Sequence, residues 1–377
     1  MKKDNIKFIL DLIDEINFEL DINIPIINEI NFEDKRNIYK KNINKIEQNN
    51  FDKNISDYFN DNIDNILNNN SQINKFINTN FYSKNIISQF ISSKIIRSII
   101  NNLFVKTTYT LNKDRIVIIY SKNDLDEKFI NKIDSILNFF DYLTNKKNYF
   151  KIEIYLSDEK KNININNNFL GPDNINSGMT LPGYYIILFR KEEVIKVLFH
   201  EIIHYLDLDI RNNQNDLLFV YKDINLKADI INPNEAYTEL LALIFLNIWD
   251  YHYKNVKIKN FYKYKLNIEL YWSFIQITKI LKFFKYKSFN DLFTKNSLFY
   301  QKTNVLSYFF LKTVFLLNIN KIFNDLTLNN LYLNKKRFEI IKKCSDLKQL
   351  KKYIDFIYTK YDNNNFNKNT LRMTFFG

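Results

Sequence analysis

The sequence predicts an α+β fold, and three observations carry the prediction. Short apolar or alternating runs, the mark of strands, interleave with helix-period segments between residues 115 and 208. Beyond Pro233 the spacing is helical to about Tyr358. The first 110 residues show helix-like apolar spacing between Asn-rich stretches. The expected organisation is a helical amino-terminal region over 1–110, a mixed core over 111–255 and a helical carboxy-terminal region over 256–377.

Each element rests on its own residues. Ile86, Ile87, Phe90, Ile91, Ile95 and Ile96 recur at helical spacing, whereas "ILNNNSQIN" (Ile66–Asn74) reads as a loop. "RIVIIY" (Arg115–Tyr120) is a short β-branched run and reads as a buried strand. In Asp124–Leu143, Phe129, Ile133, Ile136, Leu137 and Phe140 fall on one helical face, with acids in the first turn. "YFKIEIYL" (Tyr149–Leu156) alternates, with Lys151 and Glu153 opposite the apolar face, as in a half-buried strand. Gly171–Gly183 ("GPDNINSGMTLPG") reads as a loop, Tyr184–Phe189 ("YYIILF") as a strand and Lys191–Leu208 as a helix. Helices follow at "NEAYTELLALIFLNIW" (Asn234–Trp249) and near 262–285, 288–300, 303–318 and 335–358. The tail from Lys360 has no clear period.

Composition narrows the function. A chain of 377 residues with 46 % hydrophobic and 16 % aromatic residues can bury a sizeable core. The net charge of +12 invites a nucleic-acid reading. It is disfavoured, because the lysines are scattered among Asn and Ile without a dense basic block. Abundant Asn, Ile, Lys, Phe and Tyr are what an AT-rich genome encodes. Cys344 stands alone, so no intramolecular disulfide forms. Asp11 and Asp14 interrupt the amino-terminal apolar stretch, which excludes a secretory signal there. The longest apolar runs, such as Leu240–Leu246, fall far short of a membrane span of about 20 residues. The expectation is an intracellular protein without a membrane partner.

The scarce residues cluster. Three of the four glycines (Gly171, Gly178, Gly183) and two of the four prolines (Pro172, Pro182) lie within Gly171–Gly183, and Ala228, Ala236 and Ala242 follow, so the cluster spans Gly171–Ala242. Glycine is needed where φ is positive or backbones approach closely, so this stretch carries the geometric constraints.

"LFHEIIHYLDLD" (Leu198–Asp209) holds two of the three histidines in the chain. On a helix, His200 and His204 share a face and can present both imidazoles to one metal ion. Glu201 sits about 100° round from His200, where a general base beside an activated water is required. Flanking Val197, Leu198, Phe199, Ile202, Ile203 and Leu206 bury the helix, and a buried His–Glu–His cluster without a partner is costly. One Zn2+ ion answers that cost and needs a third protein ligand. His252 lies 17 residues beyond Glu235, about 25 Å along a helix, and reads as an ordinary exposed histidine. Glu235 and Glu239, at i and i+4, are better placed. Glu235 is taken as the ligand and Glu239 as its support against a ligand histidine, with the reverse assignment open. Asp207, three residues past His204, either orients that histidine or binds the ion.

"VLFHEIIHYL" followed by "NEAYTELLA" resembles the gluzincin branch of zinc metallopeptidases. With "RKEE" leading into the helix, it is also similar to metallopeptidase-like proteins of large DNA viruses. The resemblance covers roughly residues 115–250, with specificity at the two helices. It implies a zincin-like core, a twisted sheet above a helical lower half, with His200, His204 and Glu235 as ligands and Glu201 as base. It also implies an edge strand that binds extended peptide, expected at Tyr184–Phe189 through Tyr184, Tyr185, Ile186 and Ile187. Two departures stand out. The spacing from His204 to Glu235 is long, leaving Ile210–Lys227 as an inserted loop, and no further histidine follows at the metzincin spacing.

The expected function is therefore zinc-dependent endopeptidase activity, with a metal-activated water, Glu201 as base and a protein or peptide as substrate, in the cytoplasm or a virion. The alternative is a catalytically silent zinc-binding structural or interaction protein. Tyr221 is a candidate oxyanion donor, and Tyr237 a weaker one because it faces away from Glu235.

Overall fold

The computed structural model describes residues 2–30, 43–50, 90–112, 114–163, 167–209, 219–220, 230–256, 260–294, 297–361 and 370–376. Strands β1 (Ile43–Asn50), β2 (Val105–Leu111), β3 (Arg115–Ser121), β4 (Phe150–Tyr155), β5 (Gly178–Leu181) and β6 (Tyr185–Leu188) form one sheet. Among the helices are α1 (Lys2–Ile16), α2 (Ser93–Asn102), α3 (Glu127–Thr144), α4 (Val194–Tyr205), α5 (Pro233–Tyr253) and α6 (Phe261–Phe283). The α+β class is as expected. Contacts divide the chain into two units, one of Lys35–Lys160 with Asn176–Leu206, the other of Met1–Asp34, Lys161–Ile175 and Asp207–Gly377.

The first unit is built on the sheet, in the order β1-β2-β3-β4-β6-β5. β3, β4 and β6 run parallel, and the flanking pairs are antiparallel. Both faces are covered. On one, α2 packs Ile95, Ile96 and Ile99 with Tyr120, Tyr155, Ile187 and Phe189 in a single apolar cluster. On the other, Phe199 of α4 meets Phe139 and Phe140 of α3, and Tyr205 meets Phe150 of β4. This corrects the half-buried reading of β4. An interior parallel strand is covered on both faces, so Glu153 is buried, accepting a hydrogen bond from the Tyr155 hydroxyl at 3.1 Å. Arg115, buried at the start of β3, pairs with Asp141 and donates to Asn138 Oδ1 at 2.7 Å, which ties α3 to the sheet.

Two strands lie where helix was expected. β1 ("INKIEQNN") has no alternation of its own and is mostly exposed. It exists by pairing with β2, whose alternate residues are buried. Of the Ile86–Ile96 run, Ile95 and Ile96 are in α2, capped by the Ser92 side chain, while Ile86, Ile87 and the Ile66–Asn74 loop lie outside the described residues.

The structure also resolves the Gly/Pro segment into more than a loop. Pro172–Ile175 is one helical turn, and Gly178–Leu181 is the edge strand β5. Pro182 and Gly183 then turn the chain into β6. Tyr184 N–H donates to Leu181 O at 2.9 Å, and Gly183 has φ +72°, the conformation this turn demands of its third residue. The expected edge strand, β6, is interior, and β5 takes the edge.

The second unit is mainly helical, with one short antiparallel pair, Phe219–Val220 with Ile230–Ile231. α6 is buried nearly all round, including polar residues. Tyr271 donates to Phe18 O at 2.8 Å and Asn267 Oδ1 accepts from Leu20 N–H at 2.7 Å, so the start of the chain packs with the carboxy-terminal helices. The expected helix at 288–300 is a 3-10 turn at Phe289–Phe293, and the one at 335–358 is split into Lys335–Lys343 and Lys351–Tyr361. The aperiodic tail docks on α6 by its main chain. Glu269 accepts from Phe375 and Phe376 N–H at 2.8 and 3.0 Å, and Trp272 Nε1 donates to Arg372 O at 3.0 Å. No helix among the described residues is long and apolar enough to cross a membrane.

Lys279 of α6 is 2 % exposed, donates to Thr370 O at 3.3 Å and lies over the Trp272 ring. Burial pushes its ammonium down to about 7. The unfolded chain therefore binds the extra proton between pH 7 and about 10.4, and stability rises with pH across that window. Lys279→Met removes the dependence and stabilises the protein by on the order of 2 kcal/mol below pH 7, where the penalty is largest. Urea midpoints measured from pH 6 to 10 on both proteins check this, and parallel curves contradict it.

Candidate metal centre

α4 begins at Val194 after Glu193, whose φ of +59° turns the chain from β6 into the helix. The helix packs on β5 and β6. Its apolar residues Leu198, Phe199, Ile202 and Ile203 are buried, which sets the rotation about its axis. His200 and His204, one turn apart on the helix, lie together, with Nε2 atoms 3.0 Å apart and rings inclined at 79°. His200 is 5 % exposed and His204 half-buried.

Glu235, in the first turn of α5, joins them. One ligand atom from each of His200, His204 and Glu235 lies within 4.8 Å of the others, so the group could hold a metal ion. The donor set suits zinc. Two nitrogens about 2.0–2.1 Å from a tetrahedral zinc stand roughly 3.3 Å apart, close to the observed separation. Two imidazoles and one carboxylate leave the fourth position for water or substrate.

Glu201 is buried beside His200 and turned toward β5. Its Oε2 lies 2.8 Å and its carbonyl oxygen 3.1 Å from the Thr180 hydroxyl. Gly178 makes room for it. A Cβ there would come within 2.6 Å of Glu201 Oε1 and 2.8 Å of Val197 Cγ1, so any side chain would displace the carboxylate. The sequence marked Gly178 as scarce and constrained, but a contact 23 residues away in sequence is not readable from spacing.

The first turn of α5 is fixed by its own contacts. Asn232 caps it, accepting from Asn234 N–H at 3.0 Å, and Pro233 starts the helix with no N–H to satisfy. Buried Asp209 accepts from Asn234 Nδ2 and Thr238 Oγ1, both at 2.9 Å. These two residues bracket Glu235 and hold the turn that carries it. Asp209 escaped the sequence reading, since a lone acid past a helix end carries no periodic signal.

The other expected site residues are not in the three-residue group. Glu239 is buried but is not in the three-residue group. Asp207 is exposed with φ +52°. α4 ends at Tyr205, so the helical spacing that aimed Asp207 at the ion does not reach it. Tyr184 is 70 % exposed at the hairpin turn, Tyr185 is half-buried, and Ile186 and Ile187 are core residues of an interior strand. The sheet edge expected at Tyr184–Phe189 is therefore corrected: that strand is interior, and β5 is the edge. Tyr221 lies outside the described residues. Tyr237 is fully buried and accepts from Arg337 Nη1 at 3.1 Å. Desolvation raises its phenol pKa although Arg337 opposes the shift, and a phenol so enclosed is no oxyanion donor. His252 is buried against the Tyr251 ring at the far end of α5, not exposed as its position suggested.

No known protein family matches the sequence, and no solved structure matches the chain. An uncharacterized protein of Acanthamoeba polyphaga mimivirus is 33 % identical to it over 174 residues, 42 % of this chain. The chain spans 44 % of the length of that viral relative, which carries a resemblance in sequence and none in assigned activity.

Proposed function

We propose that this protein is a zinc-dependent endopeptidase with a zincin-like core. The observation that carries the proposal is the convergence of donors from His200 and His204 of α4 and Glu235 of α5 within 4.8 Å, with Glu201 next to His200 on α4. A purely structural zinc site has four protein ligands and no use for that acid.

The roles follow from position. His200, His204 and Glu235 hold the ion. Zinc, when bound, supplies a Lewis acid that activates water and polarises a carbonyl at neutral pH. Glu201 takes the proton of the attacking water and passes it to the leaving amine. Substrate is an extended polypeptide that adds alongside β5, whose outer edge has no strand partner among the described residues. The viral relative suits the virion setting expected from the resemblance to proteins of large DNA viruses.

The test is metal analysis of the purified protein with a peptide-library digest, with and without chelator. One zinc per chain and chelator-sensitive cleavage are expected. One zinc and intact peptides in both arms would leave a silent zinc-binding protein instead.

A further inference from the structure

The geometry points to Thr180 as the positioning residue for the Glu201 carboxylate, an inference that rests on the endopeptidase reading. β5 pairs with β6 so that Thr180 lies opposite Ile186 and Gly178 opposite Leu188. Residues two apart share a face, so Gly178 and Thr180 point the same way. Both meet Glu201 of α4: Thr180 through its hydroxyl, 2.8 Å from Oε2, and Gly178 through the space its missing Cβ leaves for Oε1. Met179, between them, packs on the opposite face against the α2 cluster.

The hydroxyl has one proton and two acceptors within reach, Oε2 at 2.8 Å and the Glu201 carbonyl at 3.1 Å. The shorter contact, to a charged acceptor, is the stronger, so the hydroxyl donates its hydrogen bond to the carboxylate. A glutamate otherwise has several rotamers, and a base must hold its lone pair within about 0.5 Å of the productive position. Thr180 removes that freedom. It also sits on the strand along which a peptide would lie, so one strand registers both the scissile bond and the base. Thr180 acts through Glu201 and touches no reacting atom itself.

The experiment compares the unmodified protein with Thr180→Val, which keeps the shape and loses the hydroxyl, and Thr180→Ser, which restores it. In the zinc-loaded proteins, Thr180→Val is expected to lower kcat about 10–100-fold, with KM and zinc affinity within about threefold. Thr180→Ser is expected to recover kcat to within about threefold. A second readout uses metal-free protein and needs no activity. The carboxylate stretch of Glu201, isolated by infrared difference against Glu201→Gln, should shift in Thr180→Val and return in Thr180→Ser. An unshifted band, an unchanged kcat in Thr180→Val, or a Thr180→Ser as slow as Thr180→Val overturns the role of Thr180 and leaves the enzyme reading standing. Absence of chelator-sensitive cleavage by the unmodified protein overturns the enzyme reading and, with it, the catalytic consequence of this contact.

Discussion

Glu201→Gln is expected to lower peptide hydrolysis by about 10²–10⁴-fold, the range spanned by general acid–base catalysis, while zinc stays bound at its original stoichiometry. The separation of the two readouts follows from position. Glu201 lies on α4 one residue from His200, but its side chain turns to β5, and it is not among the three ligand donors. Gln keeps the length and planarity of the side chain and an oxygen able to accept from Thr180. It cannot take a proton from water near neutral pH. Steady-state kinetics with metal analysis of the same preparation checks this. Zinc lost together with activity would make Glu201 a part of the metal site, and unimpaired hydrolysis would remove it from the chemistry.

Glu235→Ala is expected to weaken zinc binding roughly 10²–10³-fold, whereas Glu239→Ala should leave it within about tenfold. Structural four-ligand zinc sites are worth about 10–16 kcal/mol, so one ligand carries about 3 kcal/mol, a little over two decades in affinity. Both acids lie on one side of α5, and helical spacing alone allows either to be the ligand. The structure separates them: Glu235 shares a 4.8 Å group with both histidines and Glu239 does not. Competition titration against a chromophoric chelator reads the two affinities. A greater loss in Glu239→Ala than in Glu235→Ala would invert the assignment.

How much of this was legible depended on the range of each interaction. The histidine pair was legible because i and i+4 meet on any helix, whatever surrounds it. The helices at Glu127–Thr144, Pro233–Tyr253 and Phe261–Phe283 were legible from apolar spacing. β5 was missed because Gly178 and Pro182 read as loop signals. Glycine there serves a close approach by Glu201, which is one of the few reasons to place it in a strand. β1 was missed because its residues have no strand pattern and the pairing comes from β2. Asp207 is not in the three-residue group, since helical spacing was extended two residues past the point where the backbone leaves the helix.

The sequence by itself determined the class of the fold, the identity of the two imidazoles and the acid between them, and the short list of carboxylates that could join them. All of these depend on neighbours within a turn or two of the same helix. Tertiary structure alone decided which strand lies at the edge of the sheet, that Thr180 and Gly178 receive the Glu201 carboxylate, and that Asp209 holds the turn carrying Glu235. Those contacts join residues 21 to 29 positions apart. Their formation depends on how strands order and helices rotate once apolar faces are buried, and no local periodicity encodes that choice.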